Sequence, residues 1–219
     1  MEFRELFPLW DRLSADEQRQ ISESLVYRRF DKGALIHDGS ADCSGLMLVA
    51  EGQLRAFILS EDGREISIYR LFERDVCLFS ASCVFRSIQF SVHVEAEKDS
   101  GVWIVPSELY HRLMERSAAL ANYTNELMAS RFSEVMWLME QILWKSFDKR
   151  LAACLLEESA IAEGMRLTLT HEQIARHLGT AREVVTRMLR YFSDEGMVRL
   201  SRGSVELADE KRLRALAEA

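Results

Sequence analysis

The chain has 219 residues, with 28 basic and 35 acidic side chains and a formal net charge of -7. Its length and its 48% hydrophobic content are compatible with one large or two modest domains that have substantial cores. It has no apolar run long enough to cross a bilayer, and its first residues lack the basic-then-apolar layout of a signal peptide. We therefore expect a cytoplasmic protein with no membrane partner, whose four cysteines are reduced.

The acidic side chains are concentrated in the N-terminal part. Residues 1–147 hold 16 basic and 23 acidic side chains, whereas residues 148–219 hold 12 of each. Between Arg166 and Gly203, seven arginines stand against four acids. This distribution is compatible with specific DNA binding by the C-terminal part, and it predicts weak non-specific binding at moderate salt.

The first half of the chain predicts short helices followed by an antiparallel β-roll. Residues 3–24 read as helical, with Ser14 and Glu17 at capping-box spacing. From Val26 to about Val105, short segments rich in β-branched and aromatic residues alternate with Gly, Asp and Ser, as in a roll or barrel. No glycine-rich phosphate loop, zinc-ligand spacing or catalytic triad occurs in it, so we expect neither an enzyme nor a metal site.

Pro106 and Ser107 begin a helical region that runs to about Trp144. Apolar residues recur there at intervals of seven, which predicts that the helix pairs with a partner helix; the alternative is packing against the chain's own roll. Ser146-Phe147-Asp148-Lys149 interrupts the repeat and predicts a hinge, after which Asp148 caps a further helix. The predicted stripe consists of Ala121, Thr124, Met128, Phe132, Val135, Leu138, Met139 and Ile142.

Thr168 to Val205 predicts two short helices joined by a tight turn and followed by a hairpin. Thr170 lies three residues before Gln173, a capping-box spacing, and Gly179 is suited to close the first helix. Thr180 is predicted to cap the second helix. The alternation on either side of Ser201-Arg202-Gly203-Ser204 predicts a strand, a turn and a strand, as in the wing of a winged helix.

Between its apolar positions, the second helix is predicted to expose Arg182, Glu183, Thr186 and Arg187. Arginine binds the two acceptors of guanine in a bidentate manner, and glutamate accepts from the amino group of cytosine. Such residues at the start of a helix are typical of a recognition helix in a major groove. The alternative is a helical hairpin with a solvated charged face, but the wing favours DNA binding.

The segment LTLTHEQIARHLGTAREVVTRMLRYFSDEGMV resembles the DNA-binding motif of the cyclic-AMP receptor/fumarate-nitrate regulator (Crp/Fnr) family. In the cyclic-AMP receptor branch the second helix opens with Ser-Arg-Glu and has a further Arg four residues after the Glu. Ala181, Arg182, Glu183 and Arg187 stand in those places, and only Ala181 departs. The resemblance implies binding to double-stranded DNA with palindromic TGTGA-like half-sites, with guanine read by the arginines and cytosine by the glutamate.

Three further residues are assigned to the phosphates of the same duplex. Thr170 and Thr180 offer hydroxyl groups near the helix starts, and Arg202 lies in the turn of the wing. Contacts of this kind position a protein on DNA without reading its sequence.

The N-terminal segment resembles the effector-sensing β-roll of the same family, through Lys32-Gly33, Gly52, Gly63 and Asp75 among others. Members that bind cyclic nucleotides carry Gly-Glu just after that Asp, and Arg-Ser one strand later. Here no Gly-Glu follows Asp75, and Phe90-Ser91 stands in place of Arg-Ser. Because a Phe cannot neutralise a buried phosphate, we do not expect cyclic AMP as the ligand.

The region that corresponds to the family's ligand pocket contains two cysteines. They allow a thiol redox response or haem binding. The alternative is that both are small buried hydrophobic side chains, which is how most free cysteines behave. The N-terminal cysteine cluster of the iron–sulfur branch is absent, since the first cysteine is Cys43. The candidate pocket residues are Cys77, Ser80, Ser82, Cys83 and Phe90.

The chain is therefore predicted to be α+β, with three parts. These are N-terminal helices with a cupin-like β-roll (residues 1–106), a dimerisation helix (107–146) and a winged helix-turn-helix domain (147–219). We expect a homodimeric, sequence-specific transcription regulator that also contacts RNA polymerase, and whose operator affinity is set by a small-molecule effector or redox signal in the roll. The alternative is an effector-independent regulator whose roll is a structural and partner-docking platform.

Overall fold

The computed structural model describes residues 1–38, 45–78 and 91–218. The chain divides into two compact units, one formed by Met1–Leu59 with Ile68–Val135 and the other by Ser60–Ser67 with Met136–Ala219. The predicted fold class is confirmed: antiparallel sheets precede a long helix, and a small helical domain with its own sheet follows. Within the described ranges, no helix combines the length and the apolar character needed to span a membrane.

The N-terminal helical segment caps one side of the first unit. It comprises α1 (Phe3–Leu6), a 3-10 turn (Trp10–Arg12) and α2 (Ala15–Ser24). The predicted capping box at the start of α2 is confirmed, since Ser14 Oγ accepts from the Glu17 N–H at 3.3 Å while the Glu17 carboxylate accepts from the Ser14 N–H at 2.7 Å. The buried apolar residues of this segment are Phe3, Leu6, Phe7, Leu9, Leu13 and Ile21.

Two antiparallel sheets form the roll. In the first sheet, the described strands lie in the order β1 (Val26–Phe30), β8 (Ser100–Val105), β3 (Leu46–Glu51) and β6 (Val76–Cys77). In the second, the order among described strands is β2 (Leu35–Asp38), β7 (His93–Ala96), β4 (Leu54–Leu59) and β5 (Glu65–Leu71).

Strand β3 is buried on both faces. Leu46 and Leu48 pack with the N-terminal helices, while Met47 and Val49 belong to the interior between the sheets. Successive side chains of a strand point to opposite faces, so a strand with cores on both sides has no polar alternation. This explains the continuous apolar run LMLVA.

The helical region after the roll is broken into α3 (Ser107–Arg116) and α4 (Ala118–Trp144). The N-terminal half of α4 packs on the chain's own core, where Leu120 and Thr124 are fully buried. The Thr124 hydroxyl donates to the Leu120 carbonyl at 2.8 Å and accepts from the Tyr110 hydroxyl at 2.6 Å. The prediction that Thr124 belongs to a stripe facing a partner helix is therefore wrong, because Thr124 is buried in the chain's own core.

The exposed apolar stripe of α4 lies on a neighbouring face and belongs mainly to its second half. Phe132 is 66% exposed and Leu143 67% exposed. Spacings of three and four residues place these side chains on one face of the helix. The exposed residues of this face, here called the α4 stripe, are Asn122, Asn125, Ala129, Phe132, Met136, Met139 and Leu143.

The C-terminal part consists of four helices and a small sheet. Among described residues the elements are α5 (Phe147–Ala162), β9 (Arg166–Leu167), α6 (His171–Leu178), α7 (Arg182–Asp194), β10 (Val198–Ser201), β11 (Ser204–Leu207) and α8 (Glu210–Glu218). Strands β10 and β11 are the predicted wing, and β9 pairs with β11 as a further strand that the sequence reading missed. The core of this part is formed by Leu151, Leu155, Leu167, Ile174, Val185, Leu189, Phe192, Val198, Val205, Leu207 and Leu213.

The start of α5 corrects one prediction. The N-cap is Ser146, and Asp148 lies in the first turn of the helix. The Ser146 hydroxyl donates to the Asp148 carboxylate, and this hydrogen bond is the main reason why the pKa of Asp148 is lowered. A carboxylate in the first turn also interacts favourably with the helix dipole, so it stabilises the helix start without being its cap.

Candidate nucleic-acid interface

Helix α6 begins and ends as the sequence predicts. Thr170 Oγ1 accepts from the Gln173 N–H at 3.2 Å, and Gln173 Oε1 accepts from the Thr170 N–H at 2.8 Å. Gly179 closes the helix with φ at +64°, a left-handed conformation that side chains with a Cβ rarely adopt. The apolar face of α6 is buried through Ile174 and Ala175.

The start of α7 differs from the prediction by one residue. Its N-cap is Ala181, which makes no side-chain cap hydrogen bond, so the assignment of Thr180 as the cap is wrong. The Thr180 N–H instead donates to the Ala175 carbonyl at 3.0 Å, as part of the turn that ends α6. Because the turn between the two helices is short, Thr180 makes a hydrogen bond that ends α6 and does not cap α7.

Helix α7 has one buried and one charged face. Val185, Leu189 and Phe192 are fully buried. On the other face, Arg182, Glu183, Arg187 and Arg190 are exposed. Within the described residues, the side chains of Arg182, Glu183 and Arg187 make no hydrogen bond or salt bridge, so their polar atoms are available to a ligand.

Thr186, the fourth predicted base-reading residue, has a different environment. It is only partly exposed, and its hydroxyl donates to the Arg182 carbonyl at 2.9 Å. The same oxygen lies 2.9 Å from Nδ1 of His171, the first residue of α6. Thr186 thereby ties α7 to the start of α6.

The predicted phosphate contacts lie at three places. Arg202 is exposed at the tip of the wing, next to Gly203 with φ at +73°. Thr170 is exposed at the start of α6, with its hydroxyl engaged in the capping box. Thr180 is half-buried in the turn.

The electrostatic environment of the motif is positive. The pKa of His171 is lowered, first by partial burial and then by the nearby Arg182 and Arg190. Cationic neighbours disfavour a further positive charge on the imidazole. A surface that repels a proton in this way attracts anionic groups such as DNA phosphates.

A distant segment of the chain packs on the end of α6 within the second unit. Ile66 forms an antiparallel bridge with Leu178, and Ser67 Oγ lies 3.0 Å from Nδ1 of His177. A Cβ placed on Gly179 would lie 2.4 Å from Cγ1 of Ile66. The turn of the motif is thus packed against residues of the segment Ser60–Ser67.

Both the helix-turn-helix part and the β-roll match families of known proteins. Residues 149–216 match the Crp-like helix-turn-helix domain, and residues 27–117 match the cyclic nucleotide-binding domain. The whole chain is similar to the crystal structure of a protein from Eubacterium rectale assigned to the Crp/Fnr family of transcriptional regulators. The two are 57% identical, with a TM-score of 0.96, over 98% of this chain and 100% of that one. The chain belongs to the Crp/Fnr family.

Curated Crp/Fnr relatives are more distant. The cyclic AMP receptor protein of Thermus thermophilus is 26% identical over 210 residues, which are 96% of this chain and 96% of that protein. The transcriptional regulator SdrP of the same organism is 29% identical over 178 residues, covering 78% and 82% of the two chains. As a Crp/Fnr member with a Crp-like helix-turn-helix, the chain is a DNA-binding transcription regulator and not an enzyme.

The structure describes one of the candidate pocket residues of this Crp/Fnr roll. Cys77 is completely buried, in the same apolar interior as Tyr69, Leu71 and Val102. Burial raises the pKa of Tyr69 well above its ordinary value, and the adjacent Cys77 adds to the effect. The other candidates, Ser80, Ser82, Cys83 and Phe90, lie outside the described residues.

Proposed function

We propose that the protein acts as a homodimer on palindromic DNA with TGTGA-like half-sites, and that a signal received by the roll sets its operator affinity. In this proposal residues 147–219 form the DNA-binding domain, residues 107–146 provide the dimer contact, and residues 1–106 receive the signal. The observation that carries the proposal is the set of exposed, unpaired polar side chains at the start of α7.

The base contacts are assigned to the first turns of α7. Arg182 and Arg187 would each bind guanine, and Glu183 would accept from a cytosine amino group on the opposite strand. All three side chains are exposed, and a recognition helix places its N-terminal residues against base edges. Thr186 is close enough to take part, but its hydroxyl is already shared between Arg182 and His171.

The phosphate contacts are assigned to residues around this helix. Arg202 at the wing tip can reach a phosphate as a charged donor, and Thr180 can donate its hydroxyl hydrogen. The Thr170 hydroxyl donates to Gln173 Oε1 at 3.0 Å, so it would have to exchange that bond for one to a phosphate. Such contacts fix the orientation of the protein and are independent of base sequence. Their loss should therefore weaken all sequences alike.

The dimer contact is assigned to the α4 stripe. Phe132, Met136, Met139 and Leu143 are between 46% and 67% exposed, which is unusual for four large apolar side chains on one helix face. Each has about half to two thirds of its surface left to bury, so its burial stabilises an assembly by roughly 1–2 kcal/mol. Together these contributions offset much of the entropic cost of association. To enter successive major grooves, the two recognition helices of such a dimer must lie about 34 Å apart.

The signal is assigned to the roll interior. Because Cys77 is completely buried and reactive thiols are usually accessible, a bound small molecule is favoured over direct oxidation of Cys77. One relative, the cyclic AMP receptor protein of Thermus thermophilus, is named for cyclic AMP. In this chain Phe90-Ser91 replaces the Arg-Ser pair that binds the phosphate in the nucleotide-binding branch, so cyclic AMP is not the proposed effector. An effector can change operator affinity only by its differential affinity for two dimer states.

RNA polymerase is the proposed protein partner of the DNA-bound dimer.

Operator binding tests the proposal. Fluorescence anisotropy would compare a palindromic TGTGA duplex with a duplex of scrambled half-sites, each with reduced and with air-oxidised protein. Specific binding by a dimer supports the proposal, and equal binding to both duplexes contradicts it. A redox effect that vanishes in Cys77→Ser or Cys83→Ser would assign the signal to a thiol. Specific binding that no reductant, metabolite or haem alters would favour the effector-independent regulator.

A further inference from the structure

One charged side chain of the first unit is buried next to the roll interior. Arg131 of α4 is only 8% exposed, and its guanidinium carbon lies 4.5 Å from the centre of the Tyr69 ring. Tyr69 belongs to the apolar interior between the two sheets, together with Cys77 and Leu71. A cation over an aromatic face is favourable, and more so where water is excluded. Arg131 therefore places a positive group at the edge of the roll interior.

The hydrogen bonds of Arg131 are incomplete. Nη1 donates to both carboxylate oxygens of Glu134, at 2.9 and 2.8 Å. Nε is buried and has no hydrogen-bond partner within the described structure. A buried donor without a partner costs about 1–3 kcal/mol. An oxygen atom brought to Nε would therefore gain more than the same hydrogen bond gains at the surface.

The partner carboxylate is replaceable. Glu134 lies one turn along α4 from Arg131, and its side chain is 38% exposed, so it can move into water without leaving a buried charge. The guanidinium cannot, because burial and the Tyr69 ring hold it in place. Glu134 thus acts as an internal counterion that another anion can displace.

We propose that Arg131 binds the carboxylate of a small organic acid whose apolar body lies against the roll interior. This inference rests on the proposed function, in which the roll receives an effector. Two parallel donors on one edge of a guanidinium match the two oxygens of a carboxylate. The apolar residues around Tyr69 and Cys77 suit a hydrocarbon or aromatic body.

Binding at this place would be communicated to α4. The residue after Arg131 is Phe132, which opens the large apolar part of the α4 stripe. An acid that fixes Arg131 and releases Glu134 changes the position or the flexibility of α4 where the proposed dimer contact begins. The effector would thus favour one dimer state through a direct contact with the dimer helix.

Isothermal titration calorimetry on the full-length protein tests the inference. The probes are benzoate and hexanoate at pH 7.5, with benzamide and hexanamide as neutral controls of the same shape. The variants are Arg131→Gln, Glu134→Gln and, as a matched control, Arg116→Gln, which removes an exposed arginine from α3 of the same unit. Circular dichroism establishes that each variant is folded, and operator affinity is measured on the same samples.

The inference predicts that at least one acid binds and that its amide does not. Arg131→Gln should weaken binding by about tenfold or more, because a charge-assisted hydrogen bond is lost. Glu134→Gln should strengthen it, because the competing carboxylate is gone; a structural role of Arg131 alone would not have this effect. Arg116→Gln should bind as the wild type does.

Two results would overturn it. One is that neither acid binds the wild type or the Glu134→Gln protein at millimolar concentration. The other is that an acid binds Arg131→Gln as tightly as the wild type. If specific operator binding persists in either case, only this inference fails. If an acid binds through Arg131 but the palindromic duplex is not preferred, the proposed DNA function fails instead.

Discussion

His171 and Thr186 connect the two helices of the DNA-binding motif, with Nδ1 and Oγ1 2.9 Å apart. Because the Thr186 hydroxyl hydrogen is directed to the Arg182 carbonyl, His171 is the donor in this bond, and its Nε2 remains the site of protonation. Nearby Arg182 and Arg190, together with partial burial as the main cause, lower the pKa of His171. Proton binding at this position is thus coupled to the charge around the motif.

The first prediction concerns pH and DNA affinity. DNA phosphates next to the start of α6 would favour the charged imidazole and raise the lowered pKa of His171, so that binding takes up a proton. Operator affinity should therefore increase as the pH falls from about 7.5 towards 6, near the ordinary range of histidine. The His171→Gln variant should lose most of this increase in an anisotropy titration. An unchanged pH dependence in the variant would place His171 away from the phosphates.

The second prediction concerns stability without DNA. The lowered pKa values of His171 and His37, both due mainly to burial, mean that the folded state binds protons less tightly than the unfolded chain. Their contribution to stability is present above the unfolded value, about 6.5, and is lost as the pH falls below it towards the folded pKa values. The urea midpoint should decrease over that window. The decrease should become smaller in His171→Gln and smaller again when His37 is also replaced by Gln.

The third prediction separates base reading from phosphate contact. Arg187→Ala should cost roughly 1–3 kcal/mol per half-site and relax specificity at one base pair, whereas Arg202→Ala should weaken all sequences and reduce the salt slope by about one per subunit. Binding to a set of single-base variants at several salt concentrations distinguishes the two. Arg214→Ala, which removes an exposed arginine on α8, is the control. If Arg187→Ala weakens every duplex equally, Arg187 does not read a base.

The fourth prediction concerns the oligomeric state. Serine at both Phe132 and Leu143 should make the protein monomeric in sedimentation equilibrium at micromolar concentration, because two large apolar side chains are removed from each side of the contact. Trp144→Ser is the matched control, since Trp144 is 81% exposed but lies off the α4 stripe. Dissociation by Trp144→Ser, with no effect of the double change, would assign the contact to the other face of α4.

The fifth prediction concerns the turn of the motif. Gly179→Ala should destabilise the protein more than Gly196→Ala. Both positions have positive φ, at +64° and +73°, but only the new methyl group at Gly179 would collide with Ile66. The shared conformational cost is about 1–2 kcal/mol, and the excess at Gly179 should vanish in the double variant with Ile66→Ala. Urea unfolding of the wild type, the three single variants and the double variant measures this excess, and an excess that survives removal of Ile66 would refute the contact.

Local rules were sufficient for much of the C-terminal part. The Thr170–Gln173 box, the glycine at 179 and the alternating wing follow from interactions within a few residues, and all three are present. The caps of α5 and α7 were each misplaced, because several polar residues compete for the same position. At α7, Thr180 is used to end the preceding helix. Choosing between neighbouring caps needs the geometry of the turn, which the sequence does not contain.

The error in α4 has a different origin. A heptad repeat specifies that a helix is apolar on one side. It does not specify what covers that side: Thr124 is buried in the chain's own core, whereas Phe132 is 66% exposed. The difference depends on how α4 packs on the roll. The Arg131–Tyr69 contact joins residues that are 62 positions apart, so no spacing rule predicts it.

The packing of Ile66 and Ser67 on the end of α6 bears on how such regulators can be recombined. The helix-turn-helix is continuous in sequence, yet part of the support for its turn comes from the start of β5, encoded about a hundred residues earlier. A gene fusion that joins residues 147–219 to a foreign sensor would leave Leu178 and Gly179 without that support. Exchange of DNA-binding domains within the family should therefore succeed most readily when the segment Ser60–Ser67 is inherited with them.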